Sequence, residues 1–120
     1  MISVGNDIEK VERFLHLLRS RPDLLKKIFT EYEWDYSSKK NQARTLAGIW
    51  CAKEAVVKAL SYKIVVDIRD VEIKHHKNGV PFVYSINGVT YLNKLRIQVS
   101  ISHCKNYATA VCIIWEFPFK

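Results

Sequence analysis

Asp7, Glu54, Lys58 and His103 are the residues of this 120-residue chain whose types and spacing suit chemistry on a polyphosphate. Glu54 and Lys58 lie four apart in a helix-forming stretch, about one turn, so their side chains leave the same face. Asp7 follows Gly5-Asn6 near a strand end, where a missing Cβ lets the backbone approach a ligand and a carboxylate can point outward. Two carboxylates meeting beside an ammonium would suit Mg²⁺, which takes one or two protein carboxylates and fills its octahedron with water and phosphate oxygens. Ser100 and Ser102 precede His103 and add hydroxyl donors for phosphate oxygens on the same strand.

Each residue also has an ordinary reading. Glu54 and Lys58 could form an exposed helical pair worth about a few tenths of a kcal/mol. Asp7 could cap the following helix, and His103 could be a partly exposed histidine without a ligand. His75-His76 has no Cys or His at metal-ligand spacing and is assigned to a strand end with no role. Cys104 beside His103 is a weak nucleophile candidate, because neighbours on a strand point to opposite faces. GxSxG, HExxH, GxxxxGK[ST] and GxGxxG are all missing, which leaves hydrolase, zincin and mononucleotide P-loop readings without local support.

The stretch Arg44 to Leu60 positions the pair. It is rich in Ala, Leu, Glu and Lys, lacks Pro and contains one Gly, so it predicts the longest helix, capped by the polar link ending at Asn41. Leu46, Ile49, Trp50, Val56, Val57 and Leu60 give it an apolar stripe wide enough to lie on a sheet. Met1 to Ile8 predicts a short, mostly buried strand, and Glu9 to Arg19 and Pro22 to Phe29 predict helices. Thr30-Glu31-Tyr32-Glu33 has capping-box form. Strand patterns follow at Val71 to His75, Val80 to Ile86, Leu95 to His103 and Tyr107 to Phe117. Asn78-Gly79 and Asn87-Gly88 predict type I′ hairpin turns. The expected fold is α+β, one domain over residues 1–120, an antiparallel sheet wrapped against a long central helix.

Lys and Arg outnumber Asp and Glu by 19 to 12, giving +7, which favours an anionic partner without choosing among nucleic acid, a polyphosphate cofactor and an acidic protein. Three Cys without a CxxC pair, and no charged-then-apolar leader, predict a reduced cytoplasmic setting. The longest apolar run is far short of the roughly eighteen residues a membrane span needs.

Gly5-Asn6-Asp7-Ile8, Phe29 to Glu33, Ala47 to Leu60 with Ala52-Lys53-Glu54-Ala55, Gly79-Val80-Pro81 and Ser100-Ile101-Ser102-His103 form an ordered set. With it the chain resembles the phosphopantetheinyl transferases, most closely the small holo-acyl-carrier-protein synthases. The resemblance implies Mg²⁺-dependent transfer of the 4′-phosphopantetheine arm of coenzyme A to a serine of apo-acyl carrier protein, leaving adenosine 3′,5′-bisphosphate. It implies Asp7 and Glu54 as metal ligands, and Lys58, Ser102, His103, Arg44 and Pro81 as contacts to the cofactor. Arg13 would face the acidic carrier protein. Glu54, Asp35 or a metal-held water would take the serine proton. A homotrimer with active sites between neighbouring subunits is implied as well, acting without nucleic acid or membrane.

The chain departs from the family in three places. Ser61-Tyr62-Lys63-Ile64 replaces the usual Gly-rich turn after the central helix, so the loop cradling the cofactor must differ. Ile49 stands where many members carry an Arg, and Asn6 replaces a Thr, Val or Ile. Two other readings compete: a basic α+β module binding RNA or an acidic protein without chemistry, and an inactive relative that has lost coenzyme A.

Overall fold

The structure, a computed structural model, describes residues 1–116. Strand β1 (Ile2–Lys10) runs into helices α1 (Val11–Ser20), α2 (Pro22–Ile28), α3 (Glu31–Ser38) and α4 (Gln42–Leu60), followed by strands β2 (Val71–His75), β3 (Pro81–Ile86), β4 (Leu95–His103) and β5 (Tyr107–Glu116). The architecture is the expected α+β: an antiparallel sheet in the order β1-β5-β4 curls over α4, and β2-β3 forms a separate hairpin.

Helix α4 organises the core for the reason its composition gave. Leu46, Ile49, Val56 and Leu60 are buried, and small residues (Ala43, Ala47, Ala52, Ala55 and Ala59) let the sheet approach closely. Asn41 caps it, its Oδ1 accepting from the Arg44 N–H at 3.2 Å. Thr30 and Glu33 form the expected capping box at the start of α3.

Several local expectations are corrected. β1 is not mostly buried: it is an edge strand whose outer residues Ile2, Val4, Asn6 and Ile8 are exposed, and only Gly5 is buried. It also continues to Lys10, so Asp7 lies inside the strand and does not cap α1, whose N-cap is Lys10 without a side-chain bond. The turn at Gly79 is not type I′, since only the glycine has positive φ. The Gly79 N–H donates to the His76 carbonyl and the His76 N–H to the Val80 carbonyl, a turn closed by a left-handed glycine. Asn87-Gly88 joins no hairpin: β3 and β4 belong to different sheets, and a longer link containing Leu92–Lys94 connects them. Phe117, the expected end of the last strand, lies outside the described residues.

Candidate active site

Gly5 sets the geometry of the site. A Cβ on it would stand 2.1 Å from the Ala55 carbonyl oxygen and 2.7 Å from the Ala59 N, so α4 lies directly on β1 only because this residue is glycine. Ser3, Asp7 and Glu9 share Gly5's face by strand alternation, and Ser3 Oγ donates to the Ala59 carbonyl at 2.6 Å. This contact places Asp7 against the last two turns of α4. Lys58 Nζ reaches Asp7 Oδ1 at 3.3 Å and donates to the Asn6 carbonyl at 2.9 Å. Lys58 therefore pairs with Asp7 rather than with Glu54.

Glu54 completes the cluster. Partial burial, then the neighbouring Asp7 charge, push its carboxyl above the ordinary carboxylate range, against the opposing pull of Lys58. Asp7 Oδ2 is buried without a hydrogen-bond partner. An orphaned carboxylate oxygen beside a second carboxylate of raised pKa is a donor set short of positive charge. Its hard oxygens suit Mg²⁺ rather than zinc. Among the described residues no group of three or more His, Cys, Asp and Glu side chains is arranged to hold a metal.

Sequence reasoning missed Glu9. Its charge also raises the Glu54 carboxyl, and its Oε2 accepts from Arg13 at 2.7 Å. The signal was the Asp7-x-Glu9 alternation on one strand face. The Glu9–Arg13 pair itself spans a strand-to-helix junction, where i,i+4 spacing carries no fixed meaning. Cys51, also near this cluster, is pushed up to about 12 by burial first and then by Asp7, so it stays a thiol.

The remaining expected residues lie elsewhere. Thr45 and Glu54 are nine residues apart on α4, which at about 100° per residue puts them on opposite sides of the helix. On Thr45's side, Thr45, Gly48 and Ile49 with Ile101 and His103 of β4 line a cavity of about 150 Å³, closed by Tyr36, Lys40, His75, Gly79 and Pro81. Pro81 and His103 are thus brought together, but not with Asp7, Glu54 and Lys58. The His75 ring stacks on Tyr36 at 3.9 Å, and burial, then Lys40, lower its pKa to about 4. His75 is therefore part of a cavity wall, not an idle strand end. Among the described residues no carboxylate lines the cavity.

Ser102 is separated from His103. It faces the outer side of the sheet with Ser100, Asn6 and Thr109, because consecutive strand residues point to opposite faces. Arg44 is half-buried with its Nε unpartnered, and it does not line the cavity. Asp35 is exposed on α3, and its carboxylate makes no hydrogen bond or ion pair among the described residues. The Ser61 to Ile64 segment is pinned: Ser61 Oγ donates to the Lys58 carbonyl at 2.6 Å, Tyr62 OH donates to Glu116 Oε2 at 2.8 Å, and Lys63 pairs with Glu116.

Comparison with known proteins fits this arrangement. A family model described as the 4′-phosphopantetheinyl transferase superfamily matches residues 3–112. The holo-[acyl-carrier-protein] synthase of Caldicellulosiruptor bescii is 39% identical over 118 residues, covering 94% of this chain and 97% of that protein. That of Leptospira biflexa is 39% identical over 127 residues, covering 98% and 99%. Among solved structures, the acyl carrier protein synthase of Mycobacterium tuberculosis superposes with a TM-score of 0.77 at 31% identity, covering 95% and 96%. A Chronobacterium ammoniagenes ACPS-CoA complex superposes with a TM-score of 0.82, covering 98% and 99%, a likeness of fold at 24% identity. The α+β fold is shared with a class of transferases, and the relatives specify which. The chain belongs to the 4′-phosphopantetheinyl transferase superfamily.

Proposed function

We propose that this chain transfers the 4′-phosphopantetheine arm of coenzyme A to a serine of apo-acyl carrier protein, giving holo-acyl carrier protein and adenosine 3′,5′-bisphosphate. The observation that carries this reading is the Asp7–Lys58–Glu54 cluster: an ammonium, an orphaned carboxylate oxygen and a carboxyl of raised pKa gathered at one strand-helix contact. Asp7 and Glu54 would hold Mg²⁺, which when bound neutralises charge on the pyrophosphate.

Lys58 binds the bridging phosphates, exchanging its contact with Asp7 for one with phosphate oxygen, and so withdraws charge from the leaving phosphate. The serine oxygen forms its bond to the β-phosphorus as the bond to the adenosine bisphosphate oxygen breaks. Glu54, Asp35 or a metal-held water takes the serine proton; Asp35 makes no contact with the cluster within the chain. Arg13, half-exposed beside the cluster, receives the acidic carrier protein.

Pro81 and His103, with Lys40 in the same carboxylate-free cavity, bind the nucleotide end of coenzyme A. Because that cavity lies across α4 from Glu54, one chain does not unite both halves. A homotrimer in which neighbouring subunits each give one half would do so. The open outer face of the sheet, with Ile2, Val4 and Ile8 each more than half exposed, supports packing between copies. Residues 1–120 act as one domain. The free cysteines Cys51, Cys104 and Cys112 accord with a reducing cytoplasm, and among the described residues no helix is long and apolar enough to cross a membrane.

Intact mass spectrometry of apo-acyl carrier protein incubated with the protein, coenzyme A and Mg²⁺ tests the reading. The expected result is a gain of one phosphopantetheine arm, abolished by EDTA and by Glu54→Gln. No gain from well-folded protein with several carrier proteins would overturn it.

A further inference from the structure

Arg13 is not left to find its own position. Its guanidinium lies with Cζ 5.1 Å from the Trp50 ring centroid and 5.8 Å from that of Phe14, while one nitrogen donates to Glu9 Oε2 at 2.7 Å. Phe14 and Trp50 are themselves packed edge to face, with centroids 5.8 Å apart, and Phe14 is buried, so the aromatic wall behind Arg13 is fixed by the core. The Glu9 side chain is 19% exposed against 50% for Arg13: the carboxylate sits inside the contact and the guanidinium faces out. Only one of the five guanidinium N–H groups is used on Glu9, and the others remain for an incoming carboxylate.

We propose that Glu9 is a positioning residue for carrier-protein recognition: it holds Arg13 over the Trp50 ring, so that the guanidinium meets an acidic partner already oriented. The inference rests on the transferase reading above and adds to it a residue that touches neither phosphate nor metal in the reaction. A long side chain ordered before binding does not lose its rotamer freedom at the moment of association, and the ring contact together with the Glu9 bond fixes the fork that a carboxylate requires. Glu9 has the requisite place because strand alternation puts it on Asp7's face while the chain's turn into α1 swings Arg13 back over it.

Its location beside Asp7 and Glu54 supplies the rival role, a third carboxylate for the cation, and the experiment separates the two. Wild type, Glu9→Ala, Glu9→Gln, Arg13→Ala and the Glu9→Ala/Arg13→Ala double variant are compared in steady-state transfer with apo-acyl carrier protein and with Mg²⁺ varied. Carrier-protein binding is measured by calorimetry in EDTA, and thermal melts establish that each variant is folded. Glu9→Ala is expected to raise KM for the carrier protein about three- to tenfold, the span of ordering one long side chain, with the half-saturating Mg²⁺ concentration unchanged. Affinity in EDTA should fall by the same factor. Glu9→Gln, which still offers an acceptor to Arg13, should recover most of the loss, and Glu9→Ala should add nothing once Arg13 is gone.

A rise in half-saturating Mg²⁺ in both Glu9 variants, with carrier-protein affinity in EDTA unaltered, would overturn the proposal and give Glu9 to the cation site. Additive effects of Glu9→Ala and Arg13→Ala would overturn it too. Failure of the wild type to transfer the arm is a different result: it removes the transferase reading, and the positioning role falls with it.

Discussion

The Glu33 carboxylate and the Lys53 ammonium meet at 2.7 Å with neither side chain exposed. The pair is fully coordinated: Glu33 Oε1 also accepts from the Thr30 N–H and Oε2 from the Ile73 N–H, while Lys53 donates to the Ile28 carbonyl and lies over the Phe29 ring. One capping glutamate thereby ties α3, α4 and β2 together, through a lysine one residue before Glu54. Lys53→Met should leave an uncompensated buried carboxylate and cost about 3–5 kcal/mol. Glu33→Leu/Lys53→Met should recover part of that loss, though the Thr30 and Ile73 N–H groups remain unpaired. Urea denaturation of the two variants is the check.

Gly5→Ala should be among the most damaging single-methyl additions. The new Cβ meets backbone atoms of Ala55 and Ala59, which cannot rotate away. A destabilisation of about 3 kcal/mol or more follows, together with loss of transfer as Asp7 is moved off α4. Circular dichroism melts and the mass-spectrometric assay should report both.

Glu54→Gln should separate stability from function. The folded-state pKa of Glu54 is raised above its ordinary 4.5, so between the two values the folded protein holds more protons than the unfolded chain, and stability falls as pH rises through that window. Above it the wild type carries the penalty and the variant does not. At pH 7 Glu54→Gln should melt higher than wild type in the absence of metal, and should transfer nothing when Mg²⁺ is supplied. Mg²⁺ should raise the melting temperature of wild type more than that of the variant.

His75 works in the opposite sense. Its folded pKa is lowered from 6.5 to about 4, chiefly by burial, so the unfolded chain binds the extra proton first and stability is lost as pH falls from about 6.5 toward 4. His75→Phe, which keeps the ring stacked on Tyr36, should flatten that part of the profile. Melting temperatures at pH 7 and pH 5 decide it, and an equal drop in both proteins would count against the assignment.

Much of this arrangement could be read from residues. The central helix was legible because composition and spacing agree over more than four turns, and the cap at Asn41 and the box at Thr30 because side-chain chemistry at helix starts is local. Asp7 and the Glu54–Lys58 turn were recognisable as candidates, but their meeting depends on Gly5, whose function as a contact point appears only when α4 lies across it. The grouping of Ser102 with His103 failed for a reason the sequence did contain, since adjacent strand residues face apart. Lys53 was invisible as a buried cation because nothing along the chain announces that Glu33, twenty residues earlier, will be its partner.

The placement of the acidic cluster and the carboxylate-free cavity on opposite sides of α4 has a genetic consequence. If neighbouring subunits share each site, a chain disabled at Glu54 and a chain disabled at His103 are defective in different halves. Co-expressed, they would assemble mixed oligomers in which some boundaries pair two intact halves, and two inactive variants would regain transfer activity together where neither has it alone.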